Sequence, residues 1–434
     1  MKQIGVSSNG RFFQRRDGSP FFWLADTAWE LLHRLSREEI CDYLDLRRRQ
    51  GFNTVQTVLL AENDGLRTPN FYGRRPLLTN PQGRYDPSLP DLEGPDSCWA
   101  LAEFLLEEAA KRDMLVALLP TWGDKWNKKF PAAKGPEVFT PDNAFAYGAF
   151  VAGRFRRWDN LVYILGGDRT VDLPAHRQIL DRMAQGVRQE DPEALLSFHP
   201  MGPGSSYASL GQPDWLGFHM LQTGHSFDRD SYRMMEQVYS ATAARPLPVL
   251  DGEPRYEDHP IQFDPRNGRF DAWDLRQACY WSVFAGGCGV TYGHSCVWGM
   301  IRPGEENGYW DQPYCQAMGR PGAWQMRHLK ELMLSRPFFE RRPAQELLCA
   351  PLSWQQRLQA ARGERYAMVY DPDGQPVRIQ GGMLPGSRLW VRWMDPETGG
   401  WSQGAAVPNQ GQPLLSPPKP GPRRDWVLVL DSLD

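Results

Sequence analysis

The sequence predicts an α/β protein, a (β/α)8 TIM barrel followed by a small C-terminal β-sandwich domain. Three observations predict it. Eight short apolar runs alternate with helical patterns up to about residue 335. Those runs lack the in-and-out alternation of half-exposed strands, which implies parallel strands covered on both faces. After Pro337 the helical patterns stop and short strands divided by turn signals take over. A chain of 434 residues suits one large domain and one small one. We place them at 1–338 and 339–434.

Each element has its own signal. The first run is 21–26 (FFWLAD). A helix over 36–50 follows, opened by a capping box of Ser36 and Glu39 and stopped by Gly51. Strand two is 53–60 (NTVQTVLL); residues 61–97 then carry Pro, Gly, Asn and Asp and read as loop. Helix 98–112 leads to strand three, 115–122, and helix 143–158 to strand four, 161–168 (LVYILGGD). Helix 174–189 leads to strand five, 195–199. Strand six is 215–220 (WLGFHM), with a helix over 229–244 after it. Strand seven is 248–252 (PVLDG), followed by helix 273–285. Strand eight is 289–293 (GVTYG), and helix 324–335 closes the series.

Eight such units in one chain of this length point to a closed barrel. An open doubly wound sheet is the alternative. Asp26-Thr27-Ala28-Trp29 follows strand one where that fold needs a Gly-rich nucleotide turn, so the barrel is favoured. Beyond it, 365–370, 377–380, 388–394 and 426–430 are expected strands. The turn signals Asp371-Pro372-Asp373-Gly374 and 395–400 separate them, and 410–422 is a Pro/Gly-rich loop. This region is roughly 90 residues, an ordinary domain size.

Composition excludes several classes of function. Net charge is -3, with 49 basic and 52 acidic residues interspersed, so no basic stripe marks a nucleic-acid partner. Neither a polybasic tail nor an amphipathic anchor marks a membrane partner. The N-terminal MKQIGVSSNGRFFQRR has no apolar signal-peptide core. Seven scattered cysteines form no CxxC pair and suit a reducing compartment. We therefore expect a cytoplasmic protein, or a secreted one if a leader is removed. The 17 Trp, 15 Tyr and 20 Phe can pack a core or stack on the apolar faces of sugars, and composition alone does not choose.

Barrel active sites gather at the C-terminal ends of the strands. In order, those ends carry Asp26 and Trp29; Glu62 and Asn63; Trp122, Asp124 and Lys125; Gly166-Gly167-Asp168-Arg169; His199; Gln222 and His225; Asp251-Gly252-Glu253-Pro254; Tyr292 and His294. Asp168 and Glu253 thus stand on roughly opposite sides of one mouth. Glycoside cleavage needs that layout, one carboxyl to protonate the leaving oxygen and another to attack the anomeric carbon or activate water. The two glycines before Asp168 let the backbone bend towards a ligand. The GGDR segment also reads as a turn with Asp as helix cap. Glu253 follows an apolar strand, where a carboxylate is costly without a task or a partner. Its plainer reading is an ion pair with Arg255 or Arg276. His199, His219, His225 and His294 lack HExxH spacing, so pocket or core histidines are favoured over a metal site, and we expect neither metal nor cofactor. Asp26, Asp251 and Glu257 can hold hydroxyls or pair with arginines. No GxSxG occurs.

The segment NGRFFQRRDGSPFFWLADTAWELLHRLSREEICDYLDLRRRQGFNTVQ resembles the start of the apiosidase-like glycoside hydrolases. LVYILGGDR, LLSFHP, LDGEPRYE and RQACYWSVFAGGCGVTYGH match the same family in order, over about residues 9–335. The C-terminal segment resembles the β domain that follows such catalytic domains and carries a collagen-binding label by association; nothing in its residues supports collagen as a ligand. The resemblance implies a TIM barrel with acids on strands four and seven. It puts the acid/base on the GGD position, Asp168, and the nucleophile on the DGEP position, Glu253. Activity on the branched pentose apiose in pectic side chains occurs in the family. Strand four ends here in Gly-Asp, whereas the wider clan has Asn-Glu, so retention is inferred.

The expected function is a retaining glycosidase on plant-type, pectic oligosaccharides. Trp29, Trp122 and Trp298 are candidate stacking platforms. Asp26, Gln56, His199, Gln222 and His294 are candidates for hydroxyl contacts, and Arg169 and Arg255 for a uronic acid neighbour. The alternative is a non-catalytic carbohydrate-binding barrel, which would need neither acid. A metal-dependent hydrolase is a third reading, tested by a chelator.

Overall fold

The structure is a computed structural model that describes residues 2–129, 134–226, 228, 230–349 and 357–433. Among them, eight parallel strands form the barrel: β1 Trp23–Thr27, β2 Thr54–Leu60, β3 Leu115–Thr121, β4 Leu161–Gly166, β5 Leu196–His199, β6 His219–Gln222, β7 Val249–Asp251 and β8 Gly289–Tyr292. The sheet runs β5-β4-β3-β2-β1-β8-β7-β6, each strand parallel to the next. A two-residue strand, Gly204–Ser205, adds antiparallel to β6. The seam between β5 and β6 is bridged from Gly217 N to Leu196 O (2.8 Å) and from Ser197 Oγ to Phe218 O (2.7 Å). The ring is therefore nearly closed. All seven residues of β2 and all seven of β3 are buried, as strands covered on both faces must be.

The outer helices are α1 Arg37–Arg49, α2 Cys98–Lys111, α3 Pro141–Phe155, α4 Pro174–Glu190, α5 Ser206–Leu210, α6 Ser231–Ala241, α7 Ala272–Phe284 and α8 Pro321–Leu334. The expected capping box is present, with Ser36 Oγ accepting from Glu39 N and the Glu39 side chain accepting from Ser36 N. The short α5 has no counterpart in the sequence reading. Expected strand six lies at 219–222 instead of 215–220, because Trp215–Gly217 is spent on the approach: Trp215 Nε1 donates to Asp181, and Gly217 closes the seam. The helix expected from Arg229 begins at Ser231 in the structure; Arg229 itself lies outside the described residues.

The C-terminal part is an antiparallel β domain. Its six-stranded sheet runs Arg342–Pro343, Gln359–Arg362, Tyr366–Asp371, Trp426–Ser432, Arg388–Met394, Ala405–Pro408. Val377–Arg378 pairs with Leu414–Leu415, inside the expected loop, as a separate two-stranded ribbon. Period-2 alternation gives this sheet two jobs. Tyr366, Met368, Tyr370, Val427 and Val429 join the barrel's own core. Ala367, Val369, Leu428 and Leu430 point the other way into a second core with Val377 and Ile379.

Candidate active site

A cavity of about 870 Å³ opens at the C-terminal ends of the strands. Its lining combines Trp29, Trp122 and Trp298 with the acidic residues Asp168 and Glu253. This is the usual mixture of an apolar cleft with a few convergent polar groups.

Local backbone geometry explains the GGD segment. After β4 the chain turns through φ 99° at Gly166, 101° at Gly167 and 55° at Asp168, all in the left-handed region. A Cβ on Gly166 would lie 2.5 Å from His199 O, and one on Gly167 2.8 Å from Gly123 N. No side chain fits at either position, while Asp is among the few residue types that tolerate such a φ. The turn delivers the Asp168 side chain, 29% exposed, to the cavity. Arg169 lies beside it, its Nη1 donating to the Asp168 carbonyl at 2.6 Å and standing 3.8 Å from Oδ2.

Glu253 arrives from the opposite wall. The end of β7 is pinned by the buried Asp251, which accepts from Thr223 Oγ1 and Ser282 Oγ, each at 2.8 Å. A Cβ at Gly252 would lie 2.3 Å from the Met220 methyl, so a larger residue there would have to displace the end of that side chain. Glu253, 8% exposed, then sits between two imidazoles. His225 Nε2 donates to Oε1 at 3.0 Å, and His199 Nε2 stands 3.1 Å from Oε2. His225 stacks on His259 at 4.2 Å. His259 Nδ1 must donate to the Pro260 carbonyl (2.8 Å); a neutral ring then accepts from Tyr309 Oη at Nε2 (2.6 Å). Burial, and then the charge of His225, hold the His259 pKa well below its ordinary value in agreement.

The two carboxyls are driven apart in ionisation. Burial and then the charge of Glu253 raise Asp168 to about 6, against His199 and Arg169. Burial would raise Glu253 too, but the hydrogen bonds and charges of His199 and His225 outweigh it and hold Glu253 well below the ordinary carboxylate range. One cavity thus holds a carboxyl that can carry a proton and a carboxylate that stays ionised. Titratable groups separated in this way can share acid and base work.

The sequence-predicted residues divide. Trp29, Trp122, Asp168, Arg169, Gln222, Glu253 and Trp298 line the cavity. Five expectations are corrected. Asp26 faces the helix layer, buried against Arg47 Nε (2.6 Å) and Tyr43 Oη (2.5 Å). Gln56 is buried and donates to Gly252 O at 3.2 Å, supporting the turn before Glu253. His199 is fully buried behind the cavity wall, edge-on to Trp29, and acts on Glu253. Arg255 is packed near Phe270 and Trp281 and donates to Gln277 Oε1 at 2.7 Å. His294 contacts Asp258 at 3.1 Å and accepts from Cys296 N. In each case a partner inside the fold takes the polar group the mouth was expected to use.

The sequence reading named Glu62 and His225 at strand ends without giving either a substrate contact, and it left out the cavity residues Tyr256, His259, Tyr309 and Trp310. Glu62 follows β2 and His225 follows β6, so the strand-end rule reaches both. His259, Tyr309 and Trp310 sit in the loops after β7 and β8, where no periodicity signals them. Among the described residues no group of three or more His, Cys, Asp or Glu is placed to hold a metal ion, and no helix is long and apolar enough to cross a membrane.

Comparison with known proteins agrees with this geometry. The family "Apiosidase-like, catalytic domain" matches residues 7–340, and the family "Putative collagen-binding domain of a collagenase" matches 343–431. The crystal structure of a glycoside hydrolase family 5 protein from Bacteroides vulgatus is 29% identical, with TM-score 0.89, covering 99% of this chain and 93% of that one. A structure described as a glycoside hydrolase is 29% identical at TM-score 0.88, covering 100% and 97%. A family 39 glycoside hydrolase from Bacteroides cellulosilyticus, 10% identical with TM-score 0.52 over 98% and 82%, shares the fold. Comparison with curated proteins finds no match. With the barrel matched along its whole length, the chain belongs to the apiosidase-like glycoside hydrolase family and is a glycosidase followed by a collagen-binding-like β domain.

Proposed function

We propose that this glycosidase cleaves plant-type, pectic oligosaccharides, including apiose-containing ones, by a retaining double displacement. Asp168 is the general acid/base and Glu253 the nucleophile. The observation that carries this reading is the opposed ionisation of the two carboxyls in one cavity. The family's apiosidase-like name supports the substrate class.

In the first step Asp168 donates its proton to the glycosidic oxygen as the bond to the anomeric carbon breaks. Glu253 attacks that carbon and forms a glycosyl ester. His225 and His199 fix the direction of the carboxylate; the ester forms through one oxygen while the other keeps its histidine contact. In the second step Asp168, now ionised, takes a proton from water, which attacks the anomeric carbon and releases Glu253. Trp29, Trp122 and Trp298 supply faces for sugar rings, and Gln222 supplies a hydroxyl contact.

The test is hydrolysis of a panel of aryl glycosides and pectin-derived oligosaccharides by the wild type and by Glu253→Gln. The expected result is sugar release by the wild type and a loss of roughly 10³-fold or more in the variant, as for removal of a nucleophile elsewhere. The variant should melt like a folded protein. Full activity in Glu253→Gln contradicts the assignment.

A further inference from the structure

We infer that Phe263 is the platform for a second sugar ring, the neighbour of the one that is cleaved, and that it sets the length of chain the enzyme prefers. The inference rests on the glycosidase reading and adds a binding position to it.

Phe263 stands on the segment 260–269, between β7 and α7. It lines the cavity and is 62% exposed. Its backbone and that of Gln262 both lie in the left-handed region, at φ 63° and 56°. A bulky side chain held there is strained. Neighbouring hydrogen bonds enforce the conformation: Gln262 N donates to His225 O at 3.1 Å, Phe263 N to Pro260 O at 3.0 Å, and Ile261 N to Gly268 O at 3.0 Å. A lone exposed apolar side chain is ordinary. One that is exposed, strained and part of a cavity lining carries two costs that folding alone does not explain.

The ring is braced with a face to spare. His225 and His259 are stacked with centroids 4.2 Å apart. Phe263 lies 5.6 Å from the first and 4.9 Å from the second, nearly perpendicular to both. Those distances put it beside the stacked pair and not on top of it, so the imidazoles fix its tilt and cover at most one face. The remaining face suits the apolar side of a sugar ring. Gln262, exposed beside it and lining the same cavity, has an amide for that ring's hydroxyls.

Its position identifies which ring it serves. His225 also donates to Glu253, so Phe263 is one imidazole removed from the carboxylate. The ring that Glu253 attacks lies against that carboxylate, and a ring stacked on Phe263 is the next one along. From His259 the aromatic wall continues to Tyr309 at 5.4 Å, from Tyr309 to Trp310 at 5.7 Å and from Trp310 to Trp298 at 6.2 Å. Phe263 is the most exposed member and forms the outer end of this wall.

The experiment uses pectin-derived sugars separated into fractions of one to five residues. Calorimetric titration into Glu253→Gln, with and without Phe263→Ala, reads binding without turnover. In parallel, kcat/KM is measured on the longer fractions for the wild type, Phe263→Ala and Phe263→Tyr. Binding should tighten roughly tenfold or more from one residue to the longer fractions, and Phe263→Ala should remove most of that gain. The same substitution should lower kcat/KM on the longer fractions by about as much, and Phe263→Tyr, which keeps the ring, should restore it. A general disturbance of the site weakens binding of the single residue equally and leaves the length dependence in place, which overturns the inference. So does binding that ignores length, or failure of every fraction to bind. Thermal melting keeps an unfolded variant from being counted. Length-dependent binding that Phe263→Ala removes, with no hydrolysis by the wild type, leaves this inference standing and removes the glycosidase reading beneath it.

Discussion

At the residue scale, the account turns on where two protons sit. Asp168 must be protonated to act first as an acid. With its pKa raised to about 6, kcat/KM should hold below that value and fall about tenfold per pH unit above it. Glu253, held low by its two histidines, should not limit activity until far more acidic pH. The pH–rate profile checks this; a rate that rises through pH 6 to 8 would contradict it. The same shift has a stability consequence. The folded pKa of Asp168 lies above its unfolded value, so ionising it destabilises the fold as pH rises towards and past 6. Asp168→Asn, which also tolerates the positive φ, should raise Tm at pH 8 and leave it nearly unchanged at pH 4.

Residue types at strand ends were legible in the sequence, but the face each one takes was not. Asp26 and Glu253 both follow apolar runs. The pleat turns Asp26 out towards Arg47 on α1, and the Gly252 bend turns Glu253 in. Arg255 follows Glu253 by two positions yet serves the packing of α7 through Gln277. Nearness along the chain does not give nearness in a cavity when the backbone bends between the two.

At the element scale, seven of the eight strands fall within a residue or two of their apolar runs, because a strand covered on both faces leaves an unbroken apolar signature. The sixth slips because WLGFHM serves both the seam and the strand. The long connections after β7 and β8 carry His259, Tyr309 and Trp310 with no periodic signal, since their geometry is set by tertiary contact. The GGD turn belongs to this scale also. Gly167→Ala combines φ 101° with a Cβ 2.8 Å from Gly123 N and against the Trp122 ring. It should cost roughly 1–3 kcal/mol and displace Asp168, so activity should fall even where the protein stays folded. Thermal melting together with kcat measurement checks this; wild-type values of both would contradict it.

At the scale of the whole molecule, barrel and β domain share one core. Tyr370 stacks on Tyr280 of α7 at 4.9 Å. Arg276 grips Asp425 through two hydrogen bonds of 2.9 and 2.7 Å, and Arg341 donates to Val283 O and Gly287 O from a fully buried position. Breaking a buried pair on one side leaves an uncompensated charge, so Asp425→Ala should destabilise by roughly 3–5 kcal/mol. Barrel and β domain should still melt in a single transition, and calorimetry showing two separated transitions in the wild type would contradict a shared core. The change of pattern after Pro337 was legible in the sequence. The use of one sheet face as barrel core was not, because alternation shows that two faces are buried without showing what buries each.

The central claim is that Glu253 becomes covalently bonded to the sugar while Asp168 handles the proton. The most direct measurement is mass mapping of peptides from the wild type after reaction with an activated 2-deoxy-2-fluoro derivative of the sugar it hydrolyses. The account predicts a single added glycosyl mass on the peptide containing Glu253. Hydrolysis with inverted anomeric configuration and no labelled peptide, or a label on another carboxyl, would contradict it.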